Sequence, residues 1–277
     1  MTNVTKPDTD EEMEPVTSAD GTSIAFERSG SGPPLVLVHG MASNHARWEL
    51  FDVRPTLAEH TTVYAIDRRG HGESGDIDEY TLEREFEDVA AVVDSIDGPV
   101  HLLGHSHGGL CALEAALRTD NLRSLIVYEP AGPWEEGHIY SEATYEELVA
   151  LVEDGENERA LLLFLREVVR LPESQIDDLQ TAPNWSARVD EADTLPREYR
   201  APISYEFEPE RFANMTTPTL LLVGGESPQW VKDATNAVND ALPNSRISTL
   251  EGQEHVAMNT APDLFIDEVV AFVQEIR

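Results

Sequence analysis

The sequence predicts an α/β fold: a mostly parallel central sheet flanked by helices on both faces, with a helical segment inserted late in the chain. Three observations carry this. Leu35–Val38, Thr62–Ile66, Leu122–Tyr128 and Thr219–Gly225 are short apolar runs, as strands buried on both faces require. Segments with helical spacing fall between them, the order of a parallel sheet with crossover helices. That rhythm lapses from about Trp134 to Arg211, where no buried-strand pattern occurs.

Residues 1–20 are polar and acidic and read as a disordered tail, with no apolar stretch of a secretory signal. The expected core is 21–132 with 212–277, and the expected helical cap is 133–211. Thr22–Glu27 alternates like an edge strand, and Gly30–Pro34 is a turn cluster. Leu35–Val38 ends in His39-Gly40. Arg47–Ala58 reads as a helix weakened by Pro55. After the Thr62–Ile66 strand, Leu82–Ile96 places Phe86, Val89, Val92, Val93 and Ile96 on one helical side. The strand Pro99–Leu103 leads into a tight turn and the helix Leu110–Leu117. In the expected cap, Tyr145–Val152 and Arg159–Leu171 are amphipathic, and Pro172, Pro183, Pro196 and Pro202 break up a polar stretch. The sheet pattern resumes at Thr219, with helix Val231–Leu242, strand Arg246–Leu250 and helix Pro262–Ile276 after it.

The net charge of −34, from 53 acidic against 19 basic residues, argues against nucleic-acid and anionic-membrane partners, which need a basic footprint. Lys6 and Lys232 are the only lysines. The acidic residues run along the whole chain, which points to a salt-rich cytoplasm. In composition the chain resembles proteins of extreme halophiles. No apolar run approaches the roughly 20 residues that span a bilayer. Cys111 is the only cysteine, so neither a disulfide within the chain nor a thiolate cluster is expected. It reads as a packed thiol.

Chemistry concentrates in Gly104-His105-Ser106-His107-Gly108. Strand, G-x-S-x-G, helix is the context of a nucleophile elbow, where a strained serine projects its hydroxyl at the sheet's edge. The bland reading is a helix N-cap serine. The base is expected far downstream, and His255, in a loop before the final helix, fits. One oxyanion donor is the N–H after the nucleophile, that of His107. The second, from the loop after the first buried strand, is that of Met41. His60 and His138 read as surface residues. His101, His105 and His107 straddle a strand and a turn and point apart, so no metal is expected.

These motifs, with Asp67-Arg68-Arg69-Gly70-His71-Gly72-Glu73-Ser74 and the Gly252–His255 loop, resemble the α/β-hydrolase superfamily from about Gly21 to Arg277. The resemblance implies an α/β-hydrolase fold and hydrolase chemistry, and names no substrate. It makes the Asp67–Ser74 motif a structural loop. The Pro218–Pro228 segment looks like that of a branch of mostly uncharacterised bacterial and archaeal members. The sequence departs from the family at the acid: Ser227 stands where an aspartate is usual. Glu226 is adjacent. A second family arrangement, as in some haloalkane dehalogenases, places the acid after the strand that follows the elbow helix, here Glu129. Glu129 is preferred and Glu226 is second, because a carboxylate at the end of a central strand is costly to leave unpaired.

The expected function is a serine hydrolase acting on a small-molecule ester or related acyl bond through a covalent acyl-enzyme, with no cofactor. Alternatives on the same triad are a C–C bond hydrolase or lyase and a cofactor-free perhydrolase. A non-catalytic ligand-binding member of the fold is a further alternative, although a binder needs neither Ser106 nor His255. Aspartate nucleophiles serve dehalogenases and epoxide hydrolases of the superfamily, so Ser106 argues against those. Trp134, Tyr140, Phe164, Trp185 and Tyr199 offer apolar surface for a pocket. Substrate identity and oligomeric state stay open.

Overall fold

The computed structural model describes residues 13–77, 79–132 and 141–276. Eight strands form one sheet: β1 (Glu14–Thr17), β2 (Ser23–Gly30), β3 (Pro34–Val38), β4 (Thr62–Ile66), β5 (Val100–His105), β6 (Leu122–Tyr128), β7 (Thr219–Gly224) and β8 (Ser245–Leu250). Their order is β1-β2-β4-β3-β5-β6-β7-β8. The pairs β1–β2 and β2–β4 are antiparallel, and every later pair is parallel. This is the α/β-hydrolase architecture the motifs imply.

Two expectations need correction at the start of the sheet. Residues 14–17, assigned to a disordered tail, form β1 and pair with Ser23–Phe26. The strand escapes a periodicity reading because only Val16 packs against the core. Thr22–Glu27 is therefore not an edge strand: β2 lies between β1 and β4. Residues 1–12 of the expected tail lie outside the described residues.

The apolar runs are continuous because the sheet is covered on both faces. Along β3, Val36 and Val38 face one core with Val89, Val93 and Leu110. Leu35 and Leu37 face the other with Leu57, Phe265 and Val269. The helices supplying these faces are α1 (Val53–Ala58), α2 (Leu82–Ser95), α3 (His107–Ala115) and, late in the chain, the closing helix Pro262–Glu275. The expected helix over Arg47–Ala58 is broken. A 3₁₀ segment, His45–Asp52, precedes α1, and Leu50 is extended at ψ 136° while Phe51 and Asp52 take φ 56° and 57°. The break lies there and not at Pro55, which sits in the first turn of α1, where its missing N–H costs nothing.

Between β6 and β7 the described chain is helical: α4 (Glu142–Glu153), α5 (Asn157–Leu163), a π-helical turn Phe164–Val169, α6 (Glu173–Gln180), α7 (Trp185–Asp190), α8 (Leu195–Arg200) and α9 (Pro209–Phe212). The insertion has its own apolar cluster, including Leu148, Leu161, Ile176, Leu195 and Tyr199, which Ala42, Met41 and Val256 of the core loops join. Polar contacts dock it onto the loops after β3 and β4. Arg188 Nε donates to the Ala42 carbonyl at 3.2 Å, Asn44 Nδ2 to Glu191 Oε1 at 2.9 Å, and Gly72 N–H to the same oxygen at 3.0 Å. The sheet resumes with α10 (Gln229–Ala241), then β8, α11 (Ala257–Thr260) and α12 (Pro262–Glu275).

Candidate active site

Ser106 lies between β5 and α3 at φ 56°, ψ −121°, a conformation few non-glycine residues adopt. The surroundings fix it. Its N–H donates to the Tyr128 carbonyl at 2.9 Å, and its own carbonyl accepts from Gly109, Leu110 and Ala131 at 2.9, 3.1 and 2.9 Å. The flanking glycines are required by close approach. A Cβ on Gly104 would sit 2.2 Å from the Gly108 carbonyl oxygen, and one on Gly108 would sit 2.3 Å from that of His39. Helix α3 thereby starts directly beneath the serine, and its N-terminal dipole favours negative charge there.

His255 stands in the loop after β8, with Nδ1 2.7 Å from Glu129 Oε2. Glu129 follows β6 at φ 42° and is buried at 2% exposure. Its other oxygen accepts from Gly224 N–H at 2.7 Å and from Ser227 Oγ at 2.5 Å. Both carboxylate oxygens are thus occupied, which offsets the cost of burying the charge. The ends of β5 and β6 hold the histidine loop. His105 Nε2 donates to the His255 carbonyl at 2.8 Å, and the two rings meet in a tilted contact with centroids 4.7 Å apart. Tyr128 donates its hydroxyl to the Glu254 carbonyl and accepts from Ala257 N–H at 3.1 Å. Burial first, then the neighbouring His255, hold His105 well below the usual histidine range, so its ring is neutral.

Two cavities meet at Ser106 and His255. One, of about 470 Å³, is lined by Gly40, Met41, Ser43, Arg47, His105 and Arg188 among others. The second, of about 790 Å³, is lined by Glu129, Ala131, Phe164, Val168, Trp230 and Val231 among others. The π-helical turn widens the helix where Phe164, Val168 and Val169 reach these walls. Among the described residues, neither Met41 N–H nor His107 N–H donates to a backbone carbonyl of a turn, loop or cap.

The site therefore brings Ser106, His255, Glu129 and Met41 together. Glu226 is apart from it: its side chain is exposed and its N–H donates to the Gln253 carbonyl at 2.8 Å. The His107 ring does not line the cavities. It is buried with Nε2 3.1 Å from Glu85 Oε1. Of the aromatic candidates, Phe164 lines both cavities, Trp185 and Tyr199 pack within the insertion, and Trp134 and Tyr140 lie outside the described residues. Arg47 and Arg188 belong to no sequence motif that marks them as site residues, and Ser227 is marked only by standing where an aspartate is usual.

The Asp67–Ser74 motif builds a buried ionic network beside the site. Arg68 Nη1 donates to both Glu85 oxygens at 2.9 and 2.8 Å, and Nη2 donates to Glu198 of α8 and to the Gly40 carbonyl at 3.2 Å. Burial opposes the Glu85 charge, but Arg68 and then His107 overcome this and hold the carboxyl well below its usual range. The three histidines around the elbow have separate partners: His101 Nδ1 meets Ser124 Oγ at 2.7 Å, His105 meets the His255 loop, and His107 meets Glu85. Ligand atoms of Glu85, His107 and Cys111 do gather within 4.8 Å. Glu85 there already balances the Arg68 cation, so a metal ion would add positive charge beside a guanidinium. Cys111 is buried, and burial pushes its thiol well up, as befits a packed residue.

A model of the alpha/beta hydrolase family matches residues 35–268. The chain belongs to that family. It is 28% identical over 262 residues to a pimeloyl-[acyl-carrier protein] methyl ester esterase of Aeromonas hydrophila, covering 91% of this chain and 99% of that protein. It is 25% identical to a 2-hydroxy-6-oxo-6-(2'-aminophenyl)hexa-2,4-dienoic acid hydrolase of Metapseudomonas resinovorans, covering 94% and 91%. Among solved structures, an alpha/beta hydrolase from Sphaerobacter thermophilus superposes with a TM-score of 0.80 at 38% identity, covering 94% of this chain and all of that one. Near full-length relatives of the chain thus include an esterase and another hydrolase. Among the described residues no helix is long and apolar enough to cross a membrane.

Proposed function

We propose that the protein is a serine hydrolase that cleaves an ester or related acyl bond of a small molecule through a covalent acyl-enzyme. The observation that carries this is the His255–Glu129 contact at 2.7 Å in the wall of cavities that Ser106 also lines. In this reading Ser106 Oγ attacks the acyl carbon while His255 Nε2 takes its proton. Glu129 keeps the other imidazole proton on Nδ1 and stabilises the imidazolium that forms. The N–H groups of Met41 and His107 receive the oxyanion, an arrangement worth about 10²–10³ in rate per donor. His255 then protonates the leaving group, and water repeats the sequence to release the acid. No cofactor enters. The helical insertion acts as a cap that shapes the pocket.

Support comes from the esterase among the relatives at near full-length coverage. The dienoic acid hydrolase among them keeps a second reading in view, C–C bond hydrolysis on the same three residues. A fluorophosphonate probe in molar KCl tests the proposal. Labelling is expected at Ser106 by peptide mapping, lost in Ser106→Ala and His255→Ala. A folded protein that takes no label, or takes it elsewhere, would overturn the activated serine and favour a ligand-binding role.

A further inference from the structure

Five arginines are buried among the described residues: Arg47, Arg54, Arg68, Arg69 and Arg188. Three are bonded to carboxylates: Arg54 to Glu27 and Glu49, Arg68 to Glu85 and Glu198, and Arg69 to Asp88 and Asp20. Arg47 and Arg188, 6% and 8% exposed, have no such partner among the described residues. Arg47 Nε and Nη2 are buried without any hydrogen bond, and Arg188 donates from Nε to the Ala42 carbonyl. Both line the cavity that holds Ser106 and His255. Ser43 Oγ, in the same wall, is also buried without a partner.

A chain with 53 acidic residues has no shortage of carboxylates, yet none among the described residues is ion-paired with either arginine. Burial, and for Arg47 the neighbouring Arg188 charge as well, pull the two down to about 9 and about 10. Two neighbouring buried cations are costly until an anion joins them. Guanidinium forks match a planar carboxylate in bidentate geometry. The adjoining cavity, with Val168, Trp230 and Val231 in its wall, suits an apolar group.

We propose that Arg47 and Arg188 form an anion subsite for a carboxylate on the substrate, so that the protein prefers esters of carboxylate-bearing acids to neutral esters. This rests on Ser106 being the nucleophile, because the subsite is defined relative to the scissile carbonyl. Its location is specific: the carboxylate lies in the cavity of Ser43 and His105, and the neutral portion in that of Trp230. The overall negative charge repels such substrates at low salt, and molar salt screens that field over about 3 Å while a direct guanidinium contact persists.

The test is calorimetric binding to Ser106→Ala protein in molar KCl. Probes are monomethyl dicarboxylates from malonate to sebacate, each against its dimethyl ester. At the favoured length the half-ester is expected to bind at least about tenfold tighter than the diester. Arg47→Gln and Arg188→Gln should each remove most of that ratio, and Arg47→Lys, which keeps charge but loses the fork, should keep part of it. Equal binding of half-ester and diester at every length, or an unchanged ratio in folded Gln variants, would overturn the subsite. Inorganic phosphate competing more strongly than any dicarboxylate would overturn the carboxylate assignment. Failure of the nucleophile reading looks different: wild-type protein would take no fluorophosphonate label, yet half-ester binding would keep its preference.

Discussion

At the residue scale, the notable feature is how the acid is held. His255 finds its carboxylate at the end of β6, while the position after β7 where relatives of this fold usually carry an aspartate holds Ser227. That serine donates to Glu129 at 2.5 Å, so it supports the carboxylate that His255 contacts. Glu129→Gln keeps the size of the side chain but removes the charge and reverses one hydrogen bond to His255. On the proposed mechanism it should lower kcat by about 10⁴, whereas Glu226→Gln should stay within about twofold, since Glu226 is exposed and away from the histidine. Steady-state rates on one ester substrate, with labelling of Ser106 as a second readout, check the pair. A Glu129→Gln enzyme with full activity would end this assignment. Ser106 and His255 were legible because their signals are local: a glycine-flanked serine after a strand, and a histidine in the last loop. Glu129 was legible only as a preference between two carboxylates, because the choice depends on which loop the histidine ring faces. Arg47 and Arg188 gave no signal at all. What marks them is the lack of a carboxylate partner among the described residues, and that is a property of packing.

At the scale of elements, strands were easier to read than the joints between them. β4 and β6 match Thr62–Ile66 and Leu122–Tyr128 to the residue, because burial on both faces along most of each strand leaves few polar positions, Arg123 and Ser124 of β6 among them. β1 was missed since its four residues bury almost nothing. The helix expected over Arg159–Leu171 divides into α5 and a π-helical turn, which no periodicity announces because the widening serves the cavity wall. The insertion is tied to the core by buried charge as well as by apolar packing: Arg68 of the loop after β4 bonds Glu198 of α8, both at most 1% exposed. Glu198→Ala should cost about 3 kcal/mol, the low end for breaking a buried pair, because Arg68 keeps Glu85. Denaturant melts give that value. If the tie also positions the insertion over Ser106, the same variant should raise KM more than it lowers kcat. An Ala variant as stable as the wild type would mean that solvent reaches this network.

At the scale of the whole molecule, the charge distribution separates two kinds of acid. Most of the buried carboxylates bond to arginine: Glu27 to Arg54, Glu85 and Glu198 to Arg68, Asp88 to Arg69, and Glu114 to Arg118 and Arg211, while Asp67, Glu129 and Glu191 are held by histidine and neutral donors. Most of the net −34 therefore resides in carboxylates that meet water and one another. Their mutual repulsion weakens the compact state at low ionic strength and is screened as the Debye length falls from about 10 Å at 0.1 M to about 3 Å at 1 M. The buried pairs are shielded from salt by the protein and should be nearly indifferent to it. We propose on these grounds that the protein works in a salt-rich cytoplasm. Melting temperature should rise by about 5–10 °C from dilute buffer to molar KCl, equivalent to a few kcal/mol for a chain of this size. Most of the rise should come below about 1 M, where screening changes fastest. A neutral osmolyte at matched osmolality separates the causes, since it strengthens burial by exclusion without screening charge. A melting temperature that ignores KCl, or one that rises equally with the osmolyte, would remove charge repulsion as the limit on stability.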